Sequence, residues 1–437
     1  MPRNSGHADL PLHTGTVPRW LADRMMVLGT LISESIVENF GTDELLVRLS
    51  DPLWFQSFGA VMGMDWHSSG ITTSVMYALK RGLNPRAKEL GIYVCGGRGK
   101  YSRQTPDELL EIAGRTGLNG DELVRNSKLV AKVDNNAVQD GFQLYQHNFI
   151  ITKDGSWTVV QQGMNVQEKK ARRYHWCSTN LRSFVEEPHS GVVGENQGKI
   201  LNLTDSNART ARDSILEMSL EEPERIIKEI TQINKPASQM IFMQGGESNP
   251  LKSAPVQGEL FSELSESSVK ETSIAAPSTT ARSIILPAHH DVQAQDVDLK
   301  RLGGVLATAY QNQPGSFDEL LLTPGLGPRT LQSLTLVSEV IYGTPARFTD
   351  PARFSFAHGG KDGHPFPVPL KIYDESIRIL HDSIEKSKLG YKDKSDCIRR
   401  LHTVAMNVGQ NCAPEVDFDA AIKFEREHSK EWDGKTV

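Results

Sequence analysis

The sequence predicts an α+β protein: an N-terminal mixed domain with a β-hairpin or small sheet, then an all-helical C-terminal domain. Three observations carry this. Apolar residues recur at helical spacing, as in Trp20, Leu21, Met25, Leu28, Leu31, Ile32 and Ile36. The stretch 134–165 changes character, with β-formers on both sides of Asp154-Gly155. From 244 to 282, Ser, Pro, Thr, Gly and Glu dominate, which is the composition of a flexible linker. The chain therefore divides into a mixed domain 1–240, a linker 241–284, a helical domain 285–412 and an acidic tail 413–437.

Composition narrows the function. The chain has 437 residues and 38% hydrophobic content, enough for sizeable cores. The net charge is −6, but it is unevenly spread: residues 79–104 hold seven Lys/Arg against one Glu. Cys95, Cys177, Cys397 and Cys412 are far apart, with no Cys-x-x-Cys, which argues against a zinc site or a secreted disulfide scaffold. The N-terminal MPRNSGHADLPLH lacks a signal-peptide core. No run approaches the ~18 apolar residues of a membrane helix. A cytoplasmic protein with no membrane partner is expected.

In chain order, 17–49 reads as helical and Asp51-Pro52 opens a further segment through Met62. Ser68, Ser69, Thr72 and Thr73 stand at the start of a helix over 71–83, as caps or as anion ligands. Residues 91–95 (GIYVC) read as a short buried strand that ends in a glycine-rich basic loop. That loop lacks the Walker spacing and the dinucleotide fingerprint. Arg98, Lys100 and Arg103 are its candidate phosphate contacts. Thr105-Pro106-Asp107-Glu108 starts a helical stretch that runs to about 130. A β-hairpin is predicted over 145–152 and 156–162, with 195–235 helical.

The polar cluster 134–190 is the richest in the chain. Nuclease chemistry needs carboxylates for one or two divalent ions or a His base, with cations on the phosphate. Asp134, Asp140 and Asp154 are the candidate ligands for Mg²⁺ or Mn²⁺, and His147 and His175 the candidate bases. Lys170, Arg172 and Arg173 are candidate phosphate clamps, with Glu186, Glu187 and His189 close behind. No recognised nuclease spacing is complete, and Gln161-Gln162 stands where an acid-x-Lys pair belongs. A basic, aromatic DNA-binding face without chemistry remains the alternative.

In the C-terminal part, Leu320-Leu321-Leu322 runs into Thr323-Pro324-Gly325-Leu326-Gly327, and a helical pattern begins at Pro328. This resembles the helix-hairpin-helix DNA-binding motif. Gly325 and Gly327 permit a tight turn, Pro328 suits a helix start, and the free amides there can hold a phosphate oxygen. Thr323, Gly325, Gly327, Arg329 and Thr330 are the candidate DNA contacts. Such contacts position a backbone and carry no base sequence. The loop 350–365 is rich in Gly, His and charge, and Lys361 in it is a candidate DNA contact. Glycosylases of this motif place an Asp, sometimes a Lys, after it, which makes Asp350, Asp362 and Lys361 alternative catalytic candidates. The usual Val-Asp-x-His is missing here.

The stretches HTGTVPRWLADRM (13–25), SSGITTSVMYALK (68–80), GIYVCGGRGKYSRQTP (91–106), VVQQGMN (159–165), ARRYHW (171–176), EPHS (187–190), TPGLGPRTL (323–331) and DPARFSFAHGGKDGHPFPV (350–368) together resemble the archaeal and bacterial family called domain of unknown function 763. The resemblance implies a DNA-associated protein with a C-terminal helix-hairpin-helix and assigns no activity. The expectation is a DNA-binding, metal-dependent nuclease of repair or recombination, nucleoid-associated when bound. A helix-hairpin-helix glycosylase or lyase and a noncatalytic DNA-binding scaffold are the alternatives. A homo-oligomer, and a protein partner docking through 244–282, complete the expectations.

Overall fold

The computed structural model describes residues 10–11, 19–64, 69–233, 299–353 and 370–411. The strands are β1 (Leu10–Pro11), β2 (Ile92–Arg98), β3 (Val138–Gln139), β4 (Gln143–Thr152), β5 (Trp157–Asn165), β6 (Lys170–Cys177), β7 (Gly191–Val193), β8 (Lys199–Asn202) and β9 (Arg347–Thr349). The larger sheet has the order β1-β6-β5-β4-β2, with β7 paired to β6, and β3-β8-β9 form a second sheet. All the pairings are antiparallel.

The hairpin anticipated in the sequence is β4–β5. Gly155 closes its turn at φ +95°, a conformation that suits a residue without a Cβ. The Thr152 amide donates to Ser156 O at 2.8 Å beside it. Because the side-chain period is two, each strand serves two faces. Cys95, Phe149, Val159 and Trp176 stand in one cross-strand row, while Val94 and Ile150 point to the other side.

Helices cover both faces. Helix α1 (Arg19–Phe40), α2 (Thr42–Ser50), α3 (Pro52–Val61) and α4 (Gly70–Leu83) pack on the second face, together with Leu380 and Ile384 of helix Leu370–Lys386, Cys397 and Leu401 of helix Tyr391–Asn411, and Leu389 between those two helices. The α1 stripe Met25, Leu28, Ile32 and Ile36 is fully buried there. Asp51 caps α3 by accepting from the amides of Leu53 and Trp54, with Pro52 in the first turn. The short α5 (Ala87–Leu90) leads into β2. On the first face lie α6 (Thr105–Thr116), α7 (Gly120–Lys132), α8 (Arg209–Ser219) and α9 (Pro223–Ile233).

Three helices of the C-terminal part, Leu299–Asn312, Phe317–Leu321 and Pro328–Val337, join that same first-face cluster through Leu302, Leu306, Leu320, Leu331 and Leu334. The two parts that composition separates therefore share their cores.

Two sequence expectations change. Residues 199–202, expected within a helical stretch, form β8, because Ile200 and Leu201 pair with Phe348 and Arg347. Local periodicity does not register a partner so far along the chain. For the same reason the C-terminal part is not wholly helical. The linker 241–284, the tail 413–437, Lys361 and Asp362 lie outside the described residues. Among the described residues no helix is long and apolar enough to cross a membrane.

Candidate functional site

The site is built around a π-turn, Val133–Ala137, that follows α7 without a break. Such turns insert a residue into the helical ladder and re-aim a side chain. Here Asp134 is aimed into the protein and fully buried. Trp176 Nε1 donates to its Oδ2 at 2.9 Å, His189 Nε2 faces its Oδ1 at 2.5 Å, and Gln161 Nε2 donates to Oδ2 as well. Three side-chain partners are what makes a buried carboxylate tolerable.

Gln161 extends the network. Its Nε2 also reaches Val130 O at 3.3 Å, so both bonds of that nitrogen go to acceptors and the amide orientation is fixed. Its Oε1 lies 2.7 Å from His147 Nδ1, which must then carry the proton. His147 Nε2 is left to accept from the Ser127 hydroxyl at 2.9 Å. Burial lowers the pKa of His147, leaving the imidazole neutral near neutral pH. The result is one chain of contacts, Ser127–His147–Gln161–Asp134–His189.

At the outer end, the His189 side chain is 6% exposed, with Trp176 edge-on at 4.8 Å and Tyr174 at 6.1 Å between ring centres. Its Nδ1 has no hydrogen-bond partner among the described residues. Glu187, two positions earlier, sits at φ +44°. That left-handed backbone stores strain of order 1–3 kcal/mol in a residue with a Cβ.

The two arginines of β6 go to opposite faces, and neither guanidinium reaches the surface. Arg172 lies between Asp140 and Asp350, at 2.9 Å from Asp140 Oδ2 and 2.9 and 2.8 Å from the two Asp350 oxygens. Burial alone would lower its pKa, but Asp350 and Asp140 outweigh burial and hold it above the ordinary value. Tyr174 donates to Asp140 at 2.6 Å, and burial followed by that carboxylate drives the phenol pKa well up. Arg173 donates to His175 Nε2 at 2.7 Å, and His175 Nδ1 meets Leu49 O at 3.0 Å. Burial, then the Arg173 charge, pushes His175 well below the ordinary imidazole range.

These positions revise several expectations. Arg172 and Arg173 are interior, so a surface phosphate clamp is not what they form. Lys170 is ion-paired with Glu195 at 2.5 Å. His175 is fully buried with both nitrogens engaged, and it does not stand as an accessible base. Asp134, Asp140 and Asp154 do not converge: the first meets His189, the second meets Arg172, and Asp154 is exposed in the β4–β5 turn. Among the described residues no group of three or more His, Cys, Asp or Glu is arranged for a metal ion. Asp350, the glycosylase candidate, is a buried partner of Arg172.

The exposed cations lie elsewhere. Arg98, at the end of β2, and Lys100 and Arg103, on the short helical turn that follows it, are exposed, and none has a carboxylate partner among the described residues. Tyr101 is 51% exposed, with Lys100 Nζ 5.3 Å from its ring centre.

The helix–turn–helix at 317–337 presents Pro324, Gly325, Pro328 and Arg329 outward, while Thr323 and Thr330 are buried. Gly325 takes φ +82°. The carbonyl side of the turn faces inward: Leu326 O accepts from Lys132 Nζ at 2.6 Å and Asn136 Nδ2 at 3.3 Å, and Pro328 O accepts from Gln139 Nε2 at 2.9 Å. The Arg301 guanidinium lies by Gly327, 4.0 Å from where a Cβ would stand.

Sequence reasoning missed Ser127, Arg301 and the pairing of Arg172 with Asp350. The Ser127 contact had no local signal. His189 stood out in sequence only as a neighbour of the polar cluster.

The fold and site define an α+β protein with a buried histidine–carboxylate network against the first face of its sheet. Residues 6–368 match the model of a family described as a protein of unknown function, DUF763, and the chain belongs to that family. No curated protein matches the chain, and no solved structure does.

Proposed function

We propose that this protein binds DNA through the sugar–phosphate backbone, using the Pro324–Arg329 turn and the Arg98–Arg103 loop. One observation carries the reading: both segments lie at the same end of the large sheet, and both are exposed. Helix α7 starts beside the β4–β5 turn, where Leu118 packs near Gly155, and ends at Lys132, which holds the glycine turn. The loop leaves β2 at Arg98, opposite Gln146 near the start of β4, at that same end. The first amides of helix Pro328–Val337 have no intrahelical acceptor, as at any helix start, and suit a phosphate oxygen. Arg329 and Arg301 add charge beside them.

The test is anisotropy with labelled duplex and single-stranded DNA at two salt concentrations. Neutralising about three phosphates predicts that log K falls with log salt at a slope near −2 to −3. Arg98, Lys100 and Arg103, all changed to Ala, should flatten that slope. Absence of binding at low salt sinks the reading.

A second reading, phosphodiester hydrolysis, rests on the Asp134–His189 pair. A carboxylate that engages one imidazole nitrogen orients the ring and leaves the other nitrogen for a proton on water. End-labelled DNA incubated with Mg²⁺, Mn²⁺ or EDTA tests it. Product in EDTA that appears only on damaged bases would instead point to the glycosylase class.

A further inference from the structure

We infer that the second face of the sheet holds a binding site for a phosphate-bearing ligand, anchored by Arg173 and completed by Gln146 and Gln162. The pairing register puts four polar residues in one row across four strands: Arg98 opposite Gln146, Gln146 opposite Gln162, and Gln162 opposite Arg173. At the usual strand spacing the row spans about 14 Å. It begins at an exposed cation and ends at a buried one.

Arg173 is 0% exposed, and every partner it has is neutral. Its Nε donates to His175 at 2.7 Å, and its terminal nitrogens reach Thr72 Oγ1 at 3.4 Å and Pro52 O at 3.5 Å. The guanidinium lies 4.7 Å from the Phe55 ring centre. Among the described residues no carboxylate bonds to it. Arg172, one position earlier on the opposite face, is neutralised by two aspartates. A guanidinium has five N–H donors, so Arg173 has donors to spare. A buried cation without a counter-charge is costly, and a bound anion removes that cost.

The two glutamines say more about the ligand. Gln146 Nε2 donates to Thr72 O at 3.2 Å and Asn148 Oδ1 at 2.8 Å, and Gln162 Nε2 donates to Ser69 O at 3.2 Å and Tyr145 at 2.5 Å. Each amide thus faces the start of α4, and each leaves a buried Oε1 with no hydrogen-bond partner. Those oxygens need donors, whereas Arg173 needs an acceptor.

A ligand with an anionic oxygen and an adjacent hydroxyl or amine meets both needs. A monoprotonated phosphate and the phosphate–sugar unit of a nucleotide have that chemistry. The positive end of the α4 dipole favours the same charge. The site stands whether or not the protein binds DNA. Its occupant is either a free phosphate compound or the phosphorylated end of a strand.

The full-length protein is titrated with inorganic phosphate, adenosine monophosphate, and one short oligonucleotide with and without a 5′-phosphate, following melting temperature and heat of binding. At about 10 mM a specific ligand should raise Tm by several degrees over chloride of equal ionic strength. Arg173→Lys should weaken that binding about tenfold or more, because the forked donor geometry is lost. If that variant does not fold, Gln146→Leu with Gln162→Leu replaces it, with the same weakening expected.

A 5′-phosphate preference in the oligonucleotide pair assigns the site to strand ends. Binding of phosphate or the mononucleotide without that preference assigns it to free phosphate compounds. A wild-type protein that responds to none of these probes overturns the site, even if the DNA affinity proposed above is intact.

Discussion

Lys132 Nζ donates to the backbone oxygen of Leu326 at 2.6 Å, joining the end of α7 to the glycine turn 194 positions later. Lys132 is half-buried, and burial lowers its pKa. Two residues on stands Asp134, the centre of the buried network. One short segment therefore supports both the exposed turn and the interior carboxylate. Asn136 and Gln139 reinforce it from the same side. The carbonyls of Leu326 and Pro328 are consumed by these side chains, and Gly325, Pro328 and Arg329 are left exposed.

The two glycines of the turn will respond differently to substitution. Gly327 has an extended backbone, φ −122° and ψ 179°, and a Cβ there would meet only the Arg301 guanidinium and Gly325 O at 4.0 Å. Gly325 is at φ +82°, with Val305 Cγ2 3.2 Å from a built Cβ. Gly327→Val should leave the melting temperature within a few degrees yet weaken duplex binding several-fold by blocking phosphate approach. Gly325→Val should cost stability as well, about 1–2 kcal/mol. Undiminished DNA affinity in folded Gly327→Val contradicts the proposed contact.

These glycines also show how far the sequence reached. The Asp154-Gly155 hairpin, the Gly91–Cys95 strand and the Pro328 helix start were legible because each has a local chemical signature. The site was legible only as a composition: Asp134, His147 and Gln161 fall in one polar stretch. Their order in space depends on the β4–β5 register, which puts His147 opposite Gln161, and on the inward π-turn. Arg172 and Arg173 read as a surface clamp because a basic pair usually is one. On a strand covered on both faces they are buried on opposite sides. Asp350 could not be linked to Arg172 from sequence, since 178 positions separate them.

Glu34 sets an acid limit on stability. Arg86 binds its carboxylate at 2.8 and 2.9 Å, Lys388 reaches it at 2.6 Å, and its pKa falls from 4.5 to about 2, chiefly through the Arg86 bonds. A depressed carboxylate stabilises fully above the unfolded pKa and loses that contribution as pH falls from 4.5 toward 2. Wild type should exceed Glu34→Gln by about 2 kcal/mol at pH 7. The difference should shrink below pH 4.5 and close near pH 2. Chemical denaturation across that window measures it, and a pH-independent gap contradicts the account.

Arg172 is a structural cation, and its loss will be severe. Arg172→Met leaves Asp140 and Asp350 buried together without a counter-charge, a loss of about 3–5 kcal/mol. It also removes the side-chain link from β6 to Asp350, at the end of β9. Adding Asp140→Asn and Asp350→Asn to Arg172→Met should recover part of the loss, since the uncompensated charges are then gone. Urea midpoints of the single and triple variants decide this. A triple variant no more stable than the single one rules out charge burial as the cause.

His189 and Ser127 are the two ends of one hydrogen-bonded chain, and substitution can tell their roles apart. Ser127 lies inside α7, is 3% exposed and gives its hydroxyl proton to His147. Ser127→Ala leaves His147 Nε2 without a donor, at a cost of about 1–3 kcal/mol in stability. His189 is the end with a nitrogen that no described residue engages, and its ring is held between Trp176 and Tyr174. His189→Gln keeps a donor that can reach Asp134 but removes the second ring nitrogen. If His189 is the base, this variant should bind DNA within about twofold of wild type and cleave it on the order of 10² to 10⁴ more slowly. Ser127→Ala should melt earlier and, below its transition, cleave at the wild-type rate. The reverse pattern, with cleavage lost in Ser127→Ala and kept in His189→Gln, would move the chemistry to the buried serine and the neutral His147 beside it. Cleavage unchanged in both variants removes the network from the reaction and leaves Asp134 a structural carboxylate.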